Sequence, residues 1–150
     1  LASPAQRHVE PFIDLHLLYG LARAGHPEAD AVLEGIAATA AAAHPATRAA
    51  WAEVALPASR ALAAHARGDA DACVRDLSPV LPRMHEIGGS HAQRDLFDQV
   101  LIDALLRCGR LAQAQRMLAL RHAFNPRVPA TKRLLERVLA AANVPRHHGG

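Results

Sequence analysis

The chain has 150 residues, the size of one ordinary domain. Hydrophobic residues make up 51 % and charged residues 21 %, which argues against disorder. Aromatics are only 3 % and Ala and Leu dominate, which argues against a β-sandwich or barrel and for an all-α fold. Net charge is +3, too small by itself to define a partner, and no apolar run reaches the roughly 20 residues of a membrane helix.

The chain opens Leu1-Ala2-Ser3-Pro4, without Met, and no apolar stretch with a basic flank follows. No signal peptide is therefore expected, and a longer host protein is. The first helix is predicted at about 11–24, opening with Pro11. Phe12, Ile13, Leu15, Leu17, Leu18, Tyr19 and Leu21 cover most of its circumference, interrupted by Asp14 and His16. Those two polar residues are read as structural, with a buried hydrogen bond into a neighbouring helix. A second helix spans about 27–43, a third about 46–67 with a kink or break at Pro57, and a fourth about 69–87 behind an Asp69 cap. Pro79 and Pro82 disturb that fourth helix, which is expected in two pieces. Helices at about 91–108, 111–123 and 130–142 complete the set, the last carrying Leu134, Leu135, Val138 and Leu139 on one stripe. A mobile tail is expected over 144–150. Cys73 and Cys108 lie within helical segments and read as reduced packing residues, consistent with a cytoplasmic protein.

Gly25, Gly68 and Gly109 organise this series, 43 and 41 residues apart. Each closes an apolar stretch and precedes a second helical pattern, the mark of a helical repeat array. Hairpins are predicted at about 11–43, 46–87 and 90–123, followed by a capping helix, within one domain over 1–143.

The third unit resembles the tetratricopeptide pattern. Leu101, Ile102 and Leu105 precede Gly109, and Ala114, Leu118 and Pro126 follow at the motif's offsets. Gly68, Cys73 and Leu77 repeat the scheme, whereas Asp30 stands where the first unit needs a small residue. The run Ile87-Gly88-Gly89-Ser90-His91-Ala92-Gln93-Arg94-Asp95, leading into Leu96-Phe97, looks like one in the tetratricopeptide repeat protein 38-like family. The Phe12-Ile13-Asp14-Leu15-His16 opening is similar to that family too. The resemblance covers the C-terminal part of the longer family proteins. It implies a right-handed all-α superhelix and brings no catalytic residues.

The Gly88–Asp95 run carries two readings. As a ligand loop, it would offer a helix N-terminus with Ser90, His91, Gln93, Arg94 and Asp95 to an anion, a small molecule or a metal-dependent activity. As structure, the glycines stop one helix, Ser90 and Gln93 form a capping box for the next, and Arg94 and Asp95 tie neighbouring hairpins. The structural reading is favoured. Among the ten histidines, the sets His85, Glu86, His91, Asp95 and His8, Glu10, Asp14, His16 lack zinc spacing, so no metal or other cofactor is assigned. No nucleophile elbow, Walker loop or dinucleotide fingerprint appears, and an enzyme is not expected.

Charge is uneven along the chain. Residues 1–103 hold eight Arg against thirteen acids, a net −5, while residues 104–150 hold nine Lys and Arg against Glu136 alone, a net +8. The basic end, with Arg133 and Arg137 prominent, suits an acidic protein or peptide. Nucleic acid is disfavoured, because Phe124 is the single aromatic there. The expected function is protein–protein interaction on the concave face of a helical array, by a monomer or weak homo-oligomer.

Overall fold

The computed structural model describes residue 8 and residues 10–143. The tail predicted to be mobile lies outside the described residues. Among them every regular element is helical and no strand occurs, so the fold is all-α. The helices are α1 (Pro11–Arg23), α2 (Glu28–Ala41), α3 (Leu56–Ala66), α4 (Ala70–Leu77), α5 (His91–Arg107), α6 (Leu111–Phe124) and α7 (Pro129–Ala142). A π-helical segment, Ala49–Ala55, runs directly into α3, and a 3-10 helix, Leu81–Ile87, follows α4.

The three organising glycines end their helices in the same way. Gly25, Gly68 and Gly109 have φ of 65°, 84° and 70°. The amide of each donates to a carbonyl three residues back, and the next amide donates five residues back: His26 to Leu21 at 2.9 Å, Asp69 to Ala64 at 2.9 Å, Arg110 to Leu105 at 2.8 Å. This is the Schellman closure, which uses a left-handed residue to satisfy carbonyls at the helix end. It links α1 to α2, α3 to α4 and α5 to α6, and the first two pairs pack on each other.

Pro57 does not break its helix. A proline ring presses on the carbonyl four residues earlier and supplies no amide. The turns before Pro57 are widened instead, with the Leu56 amide reaching the Trp51 carbonyl five residues back. The wider π turn absorbs the proline and keeps the chain helical from 49 to 66. Further on, the predicted fourth helix does divide. Asp69 accepts from the Ala72 amide at 3.0 Å to cap α4, and Ser78-Pro79-Val80 separate it from the 3-10 helix.

The chain forms two compact units, Leu1–Ala104 and Leu105–Gly150, with the boundary inside α5. In the first, α3 packs on α1, α2 and α4. Its Ala58, Ala61 and Ala63 are buried, and such small side chains permit close approach around Leu62. Leu15, Leu18, Val32, Ile36, Val54, Leu77 and Phe97 fill the remaining core. In the second unit α6 packs on α7, with Ala114, Leu118 and Val138 buried. No helix among the described residues is long and apolar enough to cross a membrane.

Candidate functional site

The Gly88–Asp95 run is engaged with its own backbone and with α1. The Ser90 amide donates to Gln93 Oε1 at 2.8 Å, and the Gln93 amide donates to Ser90 Oγ at 3.2 Å. This reciprocal capping box satisfies two amides at the start of α5. The Arg94 guanidinium turns back onto the carbonyls of Gly88 and Gly89. Asp95 accepts from Gln99 Nε2 at 2.7 Å, one turn along the same helix. Arg94 thus bonds the loop that precedes its own helix, and Asp95 takes a bond from along α5. Gly89 has φ of 75°, and a Cβ there would run into the Phe12 ring. That ring lies tilted against His16 with centroids 4.3 Å apart, and both meet the buried Phe97 edge-on. The loop is thus the lid of an aromatic cluster joining α1 to α5. His91 is exposed at the start of α5.

The two polar residues of α1 take different partners from those expected. His16 Nδ1 donates to its own helix, to the Phe12 carbonyl at 2.8 Å. Asp14 faces the residues preceding α1, with Oδ2 3.3 Å from His8 Nδ1. Both side chains are buried, and the contact is close enough for charge attraction but misaligned for a hydrogen bond. Burial pushes the Asp14 carboxyl above the ordinary aspartate range, with His8 opposing the shift. The His8 ring fits only because Gly35 of α2 lacks a Cβ where the ring lies.

A second polar group has no counterpart in the sequence motifs. His65, buried in α3, bonds Tyr19 of α1 and Asp103 of α5. The Asp103 carboxylate accepts at 2.7 Å, which assigns the proton to Nε2, and Nδ1 then accepts from the Tyr19 hydroxyl at 3.0 Å. The three residues bolt three helices together. Among the described residues no group of three or more His, Cys, Asp or Glu is placed to hold a metal ion. Cys73 is buried and Cys108 half-buried.

The basic end presents a surface of different character. Leu120 and Phe124 of α6 are 73 % and 77 % exposed, the highest values among the large hydrophobic residues described as exposed. They are four residues apart, on one helix face, and Arg116 extends that row by another turn. Arg116 and Arg127 are exposed at either end of the pair. On α7, Arg133 and Arg137 are likewise exposed four residues apart, and Lys132 lies 3.9 Å from Glu136. Sequence reasoning counted Phe124 only as a weak case for base stacking. Its spacing from Leu120 was the available signal, but periodicity alone does not tell a core stripe from an exposed one.

No protein-family model matches the chain, and no solved structure gives a significant match to it.

Proposed function

We propose that the chain is a protein-interaction module, working in the cytoplasm without chemistry of its own. Its basic C-terminal unit takes an acidic, amphipathic protein segment on the outer face of α6. The observation that carries this reading is the exposed Leu120–Phe124 pair set among arginines. Exposed apolar groups inside a charged rim are the usual anatomy of a contact surface. The arginines would attract an acidic segment over distance, and the apolar pair would hold it. The local engagement of Ser90, Gln93, Arg94 and Asp95 favours this reading over a ligand site in that loop.

The finer architecture we propose is a tetratricopeptide-like array, akin to the family named above, with the concave lining as a further contact surface. Three identical glycine closures support it. So does the burial of Cys73 and Leu77, five and nine residues after Gly68, and of Ala114 and Leu118, five and nine after Gly109. The first unit departs from the scheme, with Asp30 and Glu34 exposed at those offsets.

Fluorescence anisotropy with a synthetic acidic amphipathic helical peptide tests the proposal. Binding should appear at low salt, weaken as salt screens charges beyond about 8 Å at physiological strength, and drop by about tenfold or more in Leu120→Ala/Phe124→Ala. Binding that is absent at low salt, or that survives the double substitution unchanged, contradicts it.

A further inference from the structure

A second apolar pair, on α1, has the complementary setting. Ile13 and Leu17 are 57 % and 39 % exposed, four residues apart on one face. They belong to the apolar residues that cover most of the helix circumference, of which Leu15 and Leu18 take the core and these two do not. Gly20 continues their row by another turn, and a Cβ there would meet nothing within 4 Å. The outer face of α1 is therefore an apolar ridge that ends in bare backbone, where a partner helix can approach closely. Glu10 is exposed just before the helix.

The two portions of the chain differ in charge. The unit that carries α1 holds thirteen acids against eight Arg, a net −5, whereas α6 lies in the portion with a net +8. Each face also supplies what the other lacks in shape. Arg116, Leu120 and Phe124 form a bulky row, and Ile13, Leu17 and Gly20 form a row that flattens at one end. Rows of side chains at a spacing of four are the ridges by which helices interdigitate.

We infer that the α6 face of one molecule docks on the α1 face of a second copy, giving head-to-tail self-association. The inference rests on the reading of α6 as an interaction surface and names one partner for it. Two short helical rows make a small contact, so the association is weak and salt-sensitive. An α1–α6 contact made once leaves one face of each kind open, so further copies can add.

Sedimentation velocity on the full chain over a concentration series, at low and high salt, provides the test. Leu120→Glu/Phe124→Glu removes one face and Ile13→Lys/Leu17→Lys removes the other. All four positions are exposed, and an unchanged circular dichroism spectrum and Tm establish that each variant is folded. The wild type should grow in mass with concentration at low salt and revert to monomer at high salt. Each variant alone should remain monomeric. Mixed in equal amounts, the two variants should form a dimer and nothing larger, since one retains the α1 face and the other the α6 face. A wild type that is monomeric throughout, a variant that self-associates alone, or a mixture that stays monomeric overturns the inference. If the acidic peptide still binds α6 in that case, the interaction reading stands and only the second copy is wrong. If the peptide fails as well, both fall.

Discussion

The Nε2 of His65 lies 2.7 Å from Oδ2 of Asp103, a bond between α3 and α5 across 38 residues of chain. With Tyr19 on the other ring nitrogen, both nitrogens of a buried imidazole are satisfied. A network with a buried imidazole at its centre helps fix how helices register, and removing that centre takes one partner from each of the groups around it.

His65→Ala should lower stability by about 2–3 kcal/mol, from the lost bonds and the cavity left behind. Tyr19→Phe should cost about 1 kcal/mol, because only the hydroxyl is lost. Urea denaturation of both single variants and the double variant measures the coupling. Strictly additive losses would mean that Tyr19 and His65 do not act as a unit.

Gly109 and Gly35 should fail for different reasons. Gly109 sits at φ 70° with open space where a Cβ would go, so Gly109→Ala costs about 1 kcal/mol of backbone strain, and Gly109→Asn less. Gly35→Ala meets the His8 ring, so it must displace that ring. Adding His8→Ala should relieve most of the Gly35→Ala loss and none of the Gly109→Ala loss. Thermal unfolding of these variants, with His8→Ala alone as the reference, separates the two cases.

These contrasts track what the sequence disclosed. The closures at Gly25, Gly68 and Gly109, the Asp69 cap and the Ser90–Gln93 box were legible because each uses residues within a few positions of one another. Pro57 was legible as a disturbance. Its resolution as a widened turn was not, because the choice between a break and a bulge depends on the tertiary packing of the segment, in which Trp51 and Val54 are buried. The Tyr19–His65–Asp103 network escaped notice because its members lie 46 and 38 residues apart and match no local motif. The fit of His8 against Gly35 is of the same kind. On α1, composition showed an apolar helix but not which of its residues face out, so Ile13 and Leu17 were indistinguishable from Leu15 and Leu18.

Asp14 gives a pH dependence with a definite sign. Its carboxyl titrates above the ordinary aspartate range in the folded state, so the folded chain holds that proton more tightly than the unfolded chain does. The group contributes most to stability at acid pH, and the contribution is lost as pH rises from the ordinary value through the raised one. Asp14→Asn removes the titration while keeping the shape. The stability of this variant relative to wild type should therefore increase over that interval. Chemical denaturation from acid to neutral pH checks it, and a difference that shrinks instead would reverse the assignment.

The interaction account is tested most directly by site-specific photo-crosslinking in the host cell. A photoreactive phenylalanine analogue is placed at position 124 in one variant and at position 91 in another. Leu120 and Phe124 define the proposed contact, whereas His91 stands at the loop of the competing reading. The account predicts protein adducts from position 124, diminished when Arg116→Glu is added, and none from position 91. Adducts confined to position 91, or none from position 124 in a folded protein, would contradict it.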